Sequence, residues 1–199
     1  MKAFIRNHVK GVFEQANGAV GGGVDLNELR AYVITKLLWN ADTDVDRHMK
    51  EFTDFYYGAA GIYIREYIET LCRKAEVDRI HVGFNDNPTS DLFAEEMLDC
   101  YDAILEKAEE AVADDPLRRR RVQKARLSVR WVRLKRAAML RHEHDPEAIH
   151  AFFTDWNSFG LTRIDEWVSA QTTLRALLDD KWRGTEYYEH WTGEGGEIL

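Results

Sequence analysis

Two adjoining stretches of opposite charge constrain the fold of this chain more than any other feature. Residues 91–113 carry Asp91, Glu95, Glu96, Asp99, Asp102, Glu106, Glu109 and Glu110 against the single base Lys107. Residues 118–136 carry Arg118, Arg119, Arg120, Arg121, Lys124, Arg126, Arg130, Arg133, Lys135 and Arg136, with no acid. Between them, Asp114-Asp115-Pro116 sets a proline at the favoured first position of a helix. Thr89 or Ser90 caps the acidic helix, which at roughly 23 residues would span ~35 Å, and the basic helix continues to about Arg141. So short a connection makes the two helices antiparallel neighbours. Val122, Leu127, Trp131, Leu134, Ala138 and Met139 give the basic helix an apolar stripe, so it is a packed element and not a free basic arm. An exposed ion pair contributes only about 0–1 kcal/mol, so the value of such a charge match lies in register and partner choice.

The same pattern argues against nucleic acid as a partner. Arginines already neutralised by neighbouring acids release few counterions, and the net charge of −8 repels phosphates. No apolar run approaches the ~20 residues of a membrane span, and no apolar segment of signal-peptide type follows Met1. Cys72 and Cys100 fall on predicted helices among apolar neighbours, which predicts two buried, reduced thiols and a cytoplasmic setting.

The remaining chain reads as mostly helical. Residues 8–15 form an apolar, β-branched and aromatic run that predicts one short strand, and the glycine-rich residues 18–23 predict a loop. Asp25 followed by Glu28 has capping-box spacing and opens a helix closing near Trp39. Asp42, Thr43 and Asp44 offer caps for a helix ended by Gly58, and a further helix spans about 60–75. Residues 80–84 suit a brief extended segment before an Asn-Asp-Asn-Pro turn. Asp145-Pro146 opens a helix closed at Gly160, and another is expected over about 163–182. The tail, with Tyr187, Tyr188 and Trp191, is expected to dock on the bundle as an aromatic anchor or to fray at its end. The expectation is an all-α bundle of about six or seven helices, with one short N-terminal β-like segment and a long antiparallel helix hairpin.

Candidate chemistry is sparse. A di-iron bundle needs two Glu-x-x-His pairs, and only Glu147 and His150 have that spacing on a predicted helix, so no metal and no cofactor are expected. His142 and His144 sit beside a helix end, where histidines meet terminal carbonyls. The glycines ahead of the first long helix lack the Gly-Lys-Ser/Thr of a phosphate loop, and there is no G-x-S-x-G elbow. Most of the six tryptophans lie at helical spacing among apolar residues, as core positions do.

Three elements together carry a family resemblance. Leu29-Arg30-Ala31-Tyr32, Lys36-Leu37-Leu38-Trp39 and Tyr56-Tyr57-Gly58-Ala59-Ala60 resemble the C-terminal region of a bacterial family of glycoside-hydrolase-like proteins, domain of unknown function 4838. The resemblance covers about residues 9–75 well and the later helices more loosely. It implies a (β/α)8 barrel followed by a helical domain. Residues 1–24 would then be the remnant of a barrel-end strand and a glycine-rich loop, and 25–199 the C-terminal helical domain. On that layout Glu14, Gln15 and Asn17 lie at the substrate-facing rim of the last strand, as candidate carbohydrate-binding residues. An equally open reading of Glu14 is an exposed or helix-capping carboxylate. No catalytic residue is carried over. A barrel takes on the order of 200–250 residues, and glycoside hydrolysis needs two carboxyl groups roughly 5–10 Å apart across a sugar. The chain alone is therefore expected to be inactive. Its expected role is to support the barrel of a parent protein and to mediate dimerisation, and the alternative is a self-standing helical interaction module.

Overall fold

The computed structural model describes residues 1–14, 21–22, 25–82, 88–164 and 168–178. The described residues build an all-α bundle. A short α1 (Lys2–Arg6) precedes α2 (Asn27–Trp39), α3 (Val45–Tyr57), α4 (Gly61–Val77), α5 (Glu95–Glu110), α6 (Pro116–Arg136), α7 (Pro146–Ser158) and α8 (Ala170–Leu178). Among the described residues no helix is long and apolar enough to cross a bilayer.

Local chemistry sets several boundaries. Asp44, Asp115 and Asp145 each occupy the position before a helix and accept a hydrogen bond from a backbone N–H in its first turn, at about 3 Å. Pro116 and Pro146 follow their caps directly, where a missing N–H costs nothing. Gly58 ends α3 at φ 59° and ψ −128°, a backbone state that only glycine adopts without strain. A 3-10 turn then leads straight into α4.

The acidic and basic helices pair as their charges predict. Arg126 bridges Asp102 and Glu109, Arg119 meets Glu109 at 3.1 Å, and Arg133 reaches Asp99 at 2.8 Å. Beneath this layer lie two apolar clusters. The first joins α2 to α6 through Leu29, Tyr57, Ile64, Tyr101, Leu105 and Val122. The second gathers Ile149, Phe152, Phe153, Trp156 and Leu177 from α7 and α8. α6 is common to both: Val122, Ala125 and Val129 face the first cluster and Leu127 the second. Fully burying one such side chain stabilises by about 1.5–3 kcal/mol, so these clusters outweigh the surface ion pairs.

The structure differs from the sequence reading at several points. No strand forms over 8–14: after α1 the chain turns at His8, with φ 57°, and runs on exposed and irregular. A strand needs a ladder partner for its polar backbone, and the only bridges among the described residues are Gly22 with Arg163 and Arg163 with Ser169. Those bridges also bear on the late start of α8, since Arg163 and Ser169 are both engaged in them where helix was expected. The acidic helix is broken at Ala94, because Ser90 caps a separate 3-10 turn, Asp91–Phe93. The basic helix ends at Arg136 and passes into a π-helical turn, Ala137–Arg141. Cys72 and Cys100 are free but exposed, not buried: they fall on the outer faces of α4 and α5. Trp167, Trp182, Trp191 and the tyrosines of the tail lie outside the described residues.

Candidate functional site

Among the described residues, those singled out from the sequence build no site together. Glu14 is exposed at the end of the irregular N-terminal segment, and Gln15 and Asn17 lie outside the described residues. Glu147 and His150 are both exposed, and no group of three metal-binding side chains occurs among the described residues. The basic face of α6 is engaged by the chain itself. Arg121 donates to the Tyr56 carbonyl at 2.6 Å and lies over the Tyr56 ring, Arg120 donates to the Ser158 carbonyl, and Arg130 pairs with Asp155 at 2.7 Å.

What the fold does bring together was not legible in the sequence. Asp25 caps no helix: the residue before α2 is Leu26, in a left-handed conformation (φ 49°), and it makes no side-chain cap. Instead the Asp25 carboxylate turns inward. The Tyr67 hydroxyl of α4 donates to its Oδ2 at 3.2 Å, and the Ser128 hydroxyl of α6 lies 3.0 Å from its Oδ1. Ser128 Oγ is also 2.9 Å from the Ala125 carbonyl, and its single proton can serve only one of the two at a time. Burial pushes the Asp25 carboxyl above its ordinary 3.8, against the lowering effect of the Ser128 and Tyr67 hydroxyls and the nearby Arg30 charge. Burial and the adjacent Asp25 charge likewise hold the Tyr67 phenol well above 10. Leu26 is nevertheless buried, so its strained backbone is held by apolar packing on one side and by the anchored Asp25 on the other.

Asp25, Tyr67 and Ser128 line a cavity of about 270 Å³ whose walls come from both apolar clusters. Its walls include Leu71, Phe93, Tyr101, Trp131, Trp156 and Leu161. Lys124 also borders it, but its ammonium is held by Glu28 at 2.5 Å. Burial is the largest single influence on the Glu28 carboxyl and would raise it, but the Lys124 hydrogen bond and charge, a backbone N–H and the Tyr56 hydroxyl together hold it below 4.5.

A second cluster has the order of a catalytic relay without its surroundings. Thr43 Oγ1 is 2.7 Å from His48 Nε2, and Glu51 Oε2 is 3.0 Å from His48 Nδ1. His48 is buried edge-on against Tyr32, with ring centroids 6.0 Å apart. A hydroxyl, an imidazole and a carboxylate in this order suit nucleophilic catalysis only beside a substrate cleft and an oxyanion hole. None of the three lines any of five well-formed cavities among the described residues. The arrangement instead pins the α2–α3 turn onto α3.

The three motif elements behave unequally. Leu29 and Tyr32 pack in the first cluster or on its edge, and Tyr57, Ala60 and Gly61 form the buried corner between α3 and α4. At Gly61 an added Cβ would lie 2.6 Å from the Thr53 carbonyl oxygen, which explains the small residue there. Lys36-Leu37-Leu38-Trp39 is different: Leu38 is 50% exposed and Trp39 93%. No curated protein and no solved structure matches this chain. Residues 1–69, which contain all three motif elements, match the model of the family described as Domain of unknown function (DUF4838), so the similarity covers the N-terminal third of the chain.

Proposed function

We propose that the chain is a helical, non-catalytic module of a larger glycoside-hydrolase-like protein, docking against the barrel of that protein through the surface of residues 1–69. The observation that carries this reading is the exposure of Trp39. An indole left 93% exposed at the end of α2, in a segment that matches the family, has no role in the core of this chain. It is not alone. Nine of the thirteen large apolar side chains exposed among the described residues lie within 1–69, including Phe4, Ile5, Phe13 and Phe55. The Lys2–Asp42 ion pair, at 3.5 Å, sets α1 beside the turn that follows Trp39. Apolar groups concentrated in this way mark surfaces that a partner covers. Carbohydrate enters the function through the parent barrel, whose rim would supply the acids that the described residues of this chain do not gather.

Two measurements test the proposal. A separately produced barrel from a family member is expected to co-sediment with this chain, and Trp39→Asp with Leu38→Asp is expected to abolish the complex without lowering the thermal midpoint of the free chain. Failure of the unaltered chain to bind the barrel would overturn the docking. Turnover of any aryl glycoside by the 199-residue chain alone would overturn the non-catalytic role. Self-association of the isolated chain that Trp39→Asp reverses would assign the same surface to a second copy and reject the barrel as its occupant.

A further inference from the structure

We propose that the cavity walled by both clusters binds a small aromatic amine, its ammonium on Asp25 and an acceptor atom on the Trp156 indole N–H. Two independent observations lead to the two ends of such a ligand. One is an inward-facing carboxylate hydrogen-bonded by two hydroxyls, with the Arg30 charge nearby but no salt bridge to it among the described residues. Among the described residues Asp25 makes no ion pair, since the nearby Lys124 is committed to Glu28. A carboxylate with two hydroxyl donors still has lone pairs to offer, and a protonated amine supplies both the donors and the charge. The other is Trp156, which lines the same cavity and is 4% exposed, yet its indole N–H has no acceptor. A buried donor left unpaired costs free energy that a bound acceptor would recover.

The walls between these ends select the body of the ligand. Tyr67, Phe93, Tyr101, Trp131 and Trp156 present aromatic surface, against which a flat ring packs and a cation is attracted. At about 270 Å³ the cavity lies just below the usual ~300–1,000 Å³ of small-molecule pockets, which limits the body to one ring or so. Asp25 and Tyr67 belong to the family-matched segment, while Ser128, Trp131 and Trp156 lie beyond it, so the site would be a property of the whole fold.

Titration calorimetry of the full chain tests this with three probes of similar shape. Tyramine carries both the ammonium and a phenolic acceptor, phenethylamine lacks the acceptor, and 4-ethylphenol lacks the charge. Tyramine is expected to bind at least about tenfold more tightly than 4-ethylphenol, the weight of a charge-assisted hydrogen bond. Asp25→Asn is expected to remove that advantage while leaving 4-ethylphenol binding unchanged, which also reports that the cavity is intact. Trp156→Phe is expected to erase the preference for tyramine over phenethylamine. No heat with millimolar tyramine on the unaltered chain, or equal affinity for tyramine and 4-ethylphenol, would overturn the proposal without any variant being needed. Because no barrel is present in the titration, its outcome is independent of the docking proposal.

Discussion

Gly58 shows how much a single position can fix. Its φ of 59° is costly for any L side chain, and an added Cβ would sit 2.6 Å from Cδ and Nε of Arg118. Gly58→Ala is therefore expected to destabilise the chain by about 1–3 kcal/mol, read as a lower urea midpoint with unchanged slope. Asp25 makes a prediction of the opposite character. Its carboxyl is raised from 3.8 by burial, so over a range above that value the folded chain keeps a proton that the unfolded chain has released. Its contribution to stability thus falls as pH climbs from 3.8 through the folded pKa, and is level beyond it. Urea titrations over a pH series should show this downward slope in the native chain and not in Asp25→Asn. A slope that is the same in both would mean that Asp25 titrates as an ordinary surface acid.

At the scale of elements, the α5–α6 pair is where charge decides register. Burial alone would raise Glu109, but hydrogen bonds from Gln123, Arg119 and Arg126 outweigh it and hold its carboxyl below 4.5. The stability from Glu109 is therefore present above pH 4.5 and is lost as pH falls through the lowered folded pKa. Arg126→Met keeps the stem but removes the group bridging Asp102 and Glu109, and should cost about 1–2 kcal/mol at neutral pH. Repeating it in Asp102→Asn should reveal the coupling as a non-additive double-mutant cycle. This pairing was legible in the sequence because charge and a Pro at the first helical position are local signals, as were the caps Asp44, Asp115 and Asp145. The inward turn of Asp25 was not. Its partners lie 42 and 103 residues away, and capping-box spacing to Glu28 offered a local alternative that the fold does not use. The exposure of Cys72 and Cys100 is hidden for a similar reason: apolar neighbours in sequence do not say which face of a helix a residue occupies. The late start of α8 goes with Arg163 bridging Gly22, a contact across the whole chain. Of the candidate site, only the family motifs could be read in advance. The cavity could not, since its walls come from both clusters and so from packing.

At the scale of the whole molecule, α6 is shared by two cores of different character. The first spans the family-matched helices, and the second is a smaller aromatic cluster around Phe152, Phe153 and Trp156, with Trp131 stacked on Phe152 at 5.6 Å. The chain joins them through the π-helical turn Ala137–Arg141, which ends at His142 in a left-handed conformation (φ 54°). Such a turn amounts to one extra residue inserted into an α-helix. Its length is therefore a setting of angle as well as of distance. Excising a single alanine from this turn would restore regular winding and rotate all that follows by about 100°. Arg141, now 2.8 Å from Glu95, would swing off the acidic helix, and α7 would present a different face to Trp131. A chain shortened there by one residue should keep its helix content by far-ultraviolet dichroism yet lose the near-ultraviolet signal of the stacked indole. Natural length variation should accordingly be tolerated in the surface connections and excluded at this one hinge of register.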